Sequence, residues 1–360
     1  MTSLYDHAPE RIWRHLDSCQ FKTLLHARPP RINCKEHGVR QVPSSWAEGS
    51  CRFTLLFERL AIDVLRECDI QGATEILRIS WDEAWHLMER AVRRGLLVRG
   101  QCTCSRIGVD EKSVRKGHKY LTLVCDLDKG TVEYLADDRQ KTSLDGYYQG
   151  LSEQQRQGIE AVAMDVWDPY VASTREYVPA AEDKIVFDRY HLMTHMGKAL
   201  DMVRKREHRA LQEMGDDTLT KSKYLWLYSE ENLPDKHRER FEELKAGHLK
   251  TARAWAIKES LRNLWDYRRK GWACTHFKRW YFWAAHSRLE PVIKAARTFH
   301  RHLQNVLTYF KHRVTNAVCE GVNSKIQTII KMAYGFRNTD HIKTAIYFHC
   351  GGLDLYPATH

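Results

Sequence analysis

No stretch of this chain approaches the roughly 18 consecutive apolar residues of a membrane-crossing helix, so a helical membrane protein is not expected. The first residues, Met1 to His7, lack the basic start and apolar core of a secretory signal. Ten cysteines are scattered without the spacing of a disulfide framework, in a chain of 360 residues that is long enough to build a core without one. A reducing cytoplasm is the expected compartment. Internal repeats and low-complexity tracts are also missing. Acidic residues are in deficit: 46 Asp and Glu face 57 Lys and Arg, leaving a net charge of +11 and favouring a polyanionic partner such as nucleic acid. A hydrophobic content of 43% supports a real core, and the length suggests two or three domains.

The most informative stretch runs from Thr315 to Gly335. Val318, Val322, Ile326, Ile329 and Ala333 recur at steps of three and four, which predicts one apolar face of a helix. Asn316, Glu320, Asn323, Gln327 and Lys331 form a second, amide-rich face with one carboxylate at its centre. Either this is a solvated surface face, or Glu320 points into a polar cleft and completes a carboxylate site. Two apolar runs offer partners: one ends in Asp110 and Glu111, the other, Ala161 to Met164, ends in Asp165. Both predict buried strands with an acid at the C-terminal end, where α/β sheets bind ligands. Two such aspartates and a helix glutamate can hold two divalent metals about 3.5–4 Å apart for phosphoryl transfer.

Taken in order, residues 1 to about 50 are mixed. Cys34 and His37 have the gap of a zinc half-site, without a second pair of clear spacing; a free thiol and a surface histidine are the alternative. Residues 51–100 predict three helices: one around Leu55 to Leu65, one from Ile70 to Leu77, and one opened by the capping pattern Ser80-Trp-Asp-Glu83. The third carries Trp81, Trp85, Met88 and Val92 inward. With Arg90, Arg93 and Arg94 near its end it fits a helix-turn-helix, or simple helical packing. His86, Glu89, Arg90 and Arg93 are its outward candidates for DNA contact. Cys102 and Cys104 read as two buried thiols beside a strand.

A strand led by Ile107 to Val109 is followed by a predicted hairpin, Lys119–Asp126 and Thr131–Ala136, turning at Asp128-Lys-Gly130. A helix is expected near Leu144–Gly158, then the Ala161–Met164 strand, a helix from about Pro169, and a fifth strand over Lys184–Asp188. Three antiparallel strands followed by alternating helix and parallel strand is the ribonuclease H-like order. Asp188-Arg-Tyr-His191 either lies beside the metals or the DNA, or is a helix cap with a polar helix residue. From about 192 to 312 the chain is helical and basic. Arg268, Arg269 and Lys270, then Lys278 and Arg279, interleave with aromatic residues, as stacking and phosphate-tracking surfaces do. Core tryptophans flanked by solvated charges are the alternative.

The ordered motifs Gly-Val-Asp-Glu111, Ala-Met-Asp165-Val-Trp-Asp-Pro-Tyr, Val-Phe-Asp188-Arg-Tyr-His, Cys-Glu320-Gly-Val-Asn-Ser-Lys-Ile and Ala-Tyr-Gly-Phe-Arg-Asn resemble those of the DDE-type bacterial insertion-sequence transposases of the ISL3 family, over nearly the whole chain. The resemblance implies an α/β protein: a small N-terminal DNA-end-binding segment over 1–50, a helix-turn-helix over 51–100, and a ribonuclease H-like catalytic domain over 104–360, its mixed five-stranded sheet interrupted by a large all-helical insertion at about 192–312. It also implies a zinc knuckle at the start; the family's opening Cys-x-x-Cys pair would precede Tyr5, so the knuckle reads as truncated here. Asp110, Asp165 and Glu320 are then the catalytic acids on two Mg²⁺ or Mn²⁺ ions, and double-stranded DNA — terminal inverted repeats and target — is the partner. Glu111 points to the opposite strand face and is excluded as a ligand. Asn323 and Lys331 become candidate DNA contacts and Asp168 a secondary acid. No Tyr or Ser stands out as a covalent nucleophile. Two active sites on two ends make a homodimer on DNA plausible, in a nucleoid-associated bacterial protein. A catalytically idle DNA-binding remnant or repressor, and another ribonuclease H-like nuclease, are the alternatives.

Overall fold

The computed structural model describes residues 3–100, 104–115, 119–336 and 338–358. Cys102, and Arg337 of the Phe-Arg-Asn motif, lie outside them. Two compact units form, one from Met1–Cys102 with Val322–His360 and one from Thr103–Gly321.

The first unit begins with five short strands where no regular structure was expected: β1 (Leu4–His7), β2 (Arg11–Ser18), β3 (Phe21–Ala27), β4 (Pro30–Cys34) and β5 (Gly38–Gln41). β1, β4 and β5 make one antiparallel sheet, and β2 and β3 pair as a hairpin. These strands alternate weakly, so period-two reasoning had little to grip. Trp13 of β2 is fully buried and meets Trp46 edge-on at 5.6 Å.

Three helices follow, α1 (Leu55–Glu67), α2 (Ile70–Leu77) and α3 (Trp81–Arg99). Each start is fixed by a side-chain cap: Thr54 accepts from the Phe57 N–H, Asp69 from Gly72, and Ser80 forms a full capping box with Glu83. Their core joins Phe57, Ile62, Leu65, Trp85 and Met88 to Phe348 and Leu355 near the C-terminus. Trp81 is not inward as expected: it is 45% exposed and stacks on buried Trp85 at 5.6 Å.

The second unit is built on the sheet order β10-β9-β6-β7-β8. β6 (Arg106–Arg115), β7 (Lys119–Asp126) and β8 (Thr131–Asp137) are antiparallel neighbours. Helices α4 (Lys141–Gln149) and α5 (Glu153–Gly158) replace the single helix expected there, because Ser152 opens a new capping box with Gln155. β9 (Ala161–Met164), α6 (Asp168–Tyr177) and β10 (Ile185–Phe187) complete the sheet, with β9 parallel to both β6 and β10. Ile107, Val109, Val162, Met164 and Val186 are fully buried, as strands covered on both faces require.

The helical stretch comprises α7 (Arg189–Glu213), α8 (Lys223–Leu227), α9 (Arg238–Ala246), α10 (Lys250–Arg262), α11 (Lys270–Ala285), α12 (Glu290–Arg301), α13 (Leu303–Leu307) and α14 (Tyr309–His312). Trp226, Trp255, Trp265 and Trp280 are core residues here. Buried Lys258 donates to the carbonyls of Trp226, Leu227 and Tyr228, at 3.1, 3.2 and 2.9 Å, and so closes the C-terminal end of α8. Two further helices, α15 (Ala317–Met332) and α16 (Thr339–Cys350), end the chain. α16 packs against α3.

Candidate active site

Three apolar strands of the second unit each run into an aspartate. β6 pairs with β9 at Gly108–Ala163, and β10 pairs with β9 at Phe187–Met164. Continuing these registers sets Asp110 opposite Asp165, and Asp165 opposite Asp188. The three acids therefore gather at the same end of adjacent parallel strands, Asp165 and Asp188 one residue past the strand ends. β6 runs on to Arg115 against β7, but its pairing with β9 stops at Gly108, which leaves Asp110 at an open notch in the sheet.

Asp110 is buried and accepts the Glu111 N–H at 2.8 Å. Burial, with the neighbouring Asp165 charge, pushes its carboxyl up to about 6 despite that bond. His191, in the first turn of α7, places Nδ1 2.7 Å from Asp165 Oδ1. Burial disfavours the charged ring, but Asp165, Asp110 and Asp188 outweigh it and raise the His191 pKa. Glu320 is raised by partial burial and by Asp188 and Asp165, with His191 opposing. Donor atoms of Asp188, His191 and Glu320 all lie within 4.8 Å of one another.

Asp188 does two jobs. Its Oδ2 accepts the Tyr190 and His191 N–H groups at 2.9 and 3.3 Å, capping α7, while Oδ1 accepts the Asn316 N–H at 3.1 Å. Asn316 is thus fully buried ahead of α15, not part of the helix's polar face as its spacing suggested. Its Nδ2 reaches Val109 O at 3.5 Å. The start of α15 also rests on the β6 backbone at Gly108, where an added Cβ would overlap Cys319 Sγ and come 2.7 Å from Asn316 Oδ1. Glu320 sits one turn further on.

Glu320 thus gathers with Asp188 and His191, Asp165 is tied to that group through His191, and Asp110 meets it through the charge of Asp165. The signal for Asp188 was in the sequence: it is the third apolar run to end in an aspartate. Glu111 pairs with Arg139 at 3.3 Å, yet burial and the Asp165 charge raise its carboxyl, so strand alternation does not remove it from the electrostatics of the acids. Asp168 is exposed, 3.8 Å from His302, and joins no donor group among the described residues. A second group, Cys104, Asp126 and Glu133, has Asp126 Oδ1 already accepting the Asp128 and Lys129 N–H groups.

The basic candidates divide. Arg90 and Arg94 both close on buried Glu58, and Arg94 also binds Glu48 and the Leu355 carbonyl, so these guanidiniums tie the helices together. Their spacing put them near the outer face, but the carboxylate that captures them lies on α1. His86 and Arg93 are exposed. So are Arg268, Arg269, Lys270, Lys278, Arg279 and Lys331, while Asn323 is half-buried. Cys34 Sγ stands 3.5 Å from His37 Nδ1, and the N–H groups of Glu36 and His37 lower its thiol pKa. Among the described residues no third donor joins this pair.

Comparison with known proteins gives three family matches in chain order. A family model described as a transposase, with the DDE catalytic domain of ISL3 elements, matches residues 107–346. The helix-turn-helix domain of transposase family ISL3 matches 41–92, and the zinc-finger of transposase IS204/IS1001/IS1096/IS1165 matches 2–37. The transposase for insertion sequence element IS1001 of Bordetella parapertussis is 24% identical over 332 residues, covering 91% of this chain and 81% of the relative. The transposase for IS1557 of Mycobacterium tuberculosis is 26% identical over 367 aligned residues, covering 93% and 81%. With the acid-bearing sheet lying inside a match that spans most of its length, the chain belongs to the ISL3 family of DNA transposases.

Proposed function

We propose that Asp110, Asp165 and Glu320 are the catalytic acids with which this transposase cuts insertion-sequence ends and transfers the freed strand to target DNA, on a ribonuclease H-like core. The observation that carries this reading is the gathering of Asp110, Asp165 and Asp188 at the same end of β6, β9 and β10, with Glu320 of α15 within 4.8 Å of the Asp188 and His191 donor atoms. Family membership implies a divalent metal. The donor set fits one: hard carboxylate oxygens crowded together, with burial and mutual repulsion raising Asp110 and Glu320. Two Mg²⁺ or Mn²⁺ ions bound by Asp110, Asp165 and Glu320 would supply activation of the attacking oxygen and stabilisation of the leaving 3′ oxygen. The chain itself orients the acids: His191 holds Asp165, and Asp188 fixes the starts of α7 and α15.

The same reading assigns residues 1–50 to end binding, 51–100 to the helix-turn-helix and 104–360 to catalysis, with a helical insertion at about 192–312. His86 and Arg93 in α3, Arg268, Arg269, Lys270, Lys278 and Arg279 around α11, and Asn323 and Lys331 in α15 face the DNA. The inverted repeats bind a nucleoid-associated dimer in the cytoplasm, with Cys34 and His37 as a partial zinc site. No helix among the described residues is long and apolar enough to cross a membrane.

The test is cleavage of labelled DNA carrying the element's own ends, with Mg²⁺. Asp110→Asn, Asp165→Asn and Glu320→Gln are each expected to abolish cutting while end binding, measured with Ca²⁺, survives. Wild-type cutting by any one variant removes that residue from the site.

A further inference from the structure

The outer face of α11 carries more aromatic surface than a helix facing water needs. Trp272 is 64% exposed, Phe282 67% and Trp283 40%, whereas Ala273, Phe277, Trp280 and Ala284 of the same helix are buried. Trp272 and Trp283 are eleven residues apart, so on an α-helix they stand within about 20° of one azimuth and about 16 Å apart. Arg279 lies between them on that stripe, with Thr275 and Phe282 flanking it. Phe282 lies against His286, with ring centroids 4.3 Å apart and planes tilted by 35°. Lys270, Lys278 and Arg279 are exposed, and among the described residues none of the three forms an ion pair. Arg279 thus sets positive charge on the same strip as the exposed rings, while Lys278 and Lys270 stand roughly 120° and 160° round the helix from it.

We infer that this Trp272–Arg279–Trp283 stripe is a stacking platform for unpaired nucleotides at the DNA end, in addition to the phosphate contacts its cations make. The inference rests on the reading of α11 as part of the DNA grip. Duplex DNA offers phosphates to Lys and Arg but keeps its base faces stacked on one another. Only unpaired or extruded bases present a π-face that an indole can cover. Charge complementarity selects a nucleic acid over a second copy of this basic chain, whose like charge would oppose docking on the same strip.

The experiment measures full-length protein binding, by fluorescence anisotropy with Ca²⁺, to a blunt duplex, the same duplex with an unpaired overhang, and the single strand. Trp272→Ala and Trp283→Ala are each expected to weaken overhang and single-strand binding by about 10-fold while leaving the blunt duplex nearly unchanged. Trp272→Phe, which keeps a ring, restores most of the loss. Equal affinities of wild type and both alanine variants for the overhang, or an equal loss on all three DNAs, overturns the platform. Lys278→Glu with Arg279→Glu tests the underlying reading separately: undiminished blunt-duplex binding overturns the DNA grip itself. A shift from dimer to monomer in Trp272→Ala, seen by light scattering without any change in DNA affinity, also overturns the platform and assigns the stripe to a second copy.

Discussion

Asp188 accepts the Asn316 N–H through one carboxylate oxygen and the Tyr190 and His191 N–H groups through the other. One buried side chain therefore sets the start of the helix bearing His191 and the start of the helix bearing Glu320. Asp188→Ala leaves these buried donors without an acceptor, at a cost of about 1–3 kcal/mol. Urea denaturation is expected to show this loss, and strand cleavage to fall more than the lost stability alone explains. Unchanged cleavage in a folded Asp188→Ala protein would show that the two helix starts hold their places without it.

His191 is expected to matter through Asp165. Removing the ring in His191→Ala frees the Asp165 oxygen that it holds at 2.7 Å. Losing such an orienting partner costs about 10- to 100-fold in activity. The cleavage rate at saturating DNA should drop by that amount with DNA affinity unaltered. If affinity falls and the rate does not, His191 belongs to DNA binding instead.

The Glu58 network makes a stability prediction in α1–α3. Glu58 is 1% exposed and holds both Arg90 and Arg94. Removing one partner of a buried ion pair costs about 3–5 kcal/mol. Glu58→Ala should lower the denaturation midpoint strongly, and Arg90→Ala and Arg94→Ala should also destabilise. Arg93→Ala, on the exposed face, should leave the midpoint within about 0.5 kcal/mol of wild type and weaken DNA binding. The reverse pattern would return Arg90 and Arg94 to the DNA surface.

His349 in α16 gives a pH dependence. Burial, with Lys325 and Arg66 adding repulsion, lowers its pKa from 6.5 to about 4. The unfolded chain takes up a proton near pH 6.5, and the folded chain not until about pH 4. Stability is therefore full above pH 6.5 and falls as pH drops towards 4, by about 3 kcal/mol in total. Comparing His349→Phe with wild type isolates this contribution: the wild type should lose that much relative to the variant between pH 7 and 4. A constant difference across the range would place His349 in water.

Much of the catalytic unit was legible because its signals are local. The ends of β7 and β9 and the Ser80 cap of α3 fall where alternation and cap chemistry put them. Asp110 and Asp165 stood out as acids closing apolar runs, and Glu320 as the one carboxylate on an amide-rich helix face. Asp188 was harder to weigh, because one aspartate after a strand serves equally as a helix cap or a site residue, and here it caps while sitting in the site. The pairing of Arg90 and Arg94 was not legible because their partner is a buried carboxylate 32 and 36 residues earlier, which no helical periodicity contains. The five N-terminal strands were missed because their exposed, mixed residues carry no clear period.

The placing of Asp110, Asp165 and Asp188 at one end of three adjacent strands has a consequence for how such a chain can change over time. Strand side chains alternate between faces, so gaining or losing one residue in β6 ahead of Asp110 turns that aspartate to the far side of the sheet, and a change of length in β9 or β10 shifts Asp165 or Asp188 from its place at the strand end. Exchanging one apolar residue for another in the same strand leaves that placing intact. The sheet thus permits drift in the kind of residue and forbids drift in their number, and viable insertions belong in the helical stretches and loops, where length is not a coordinate of the site.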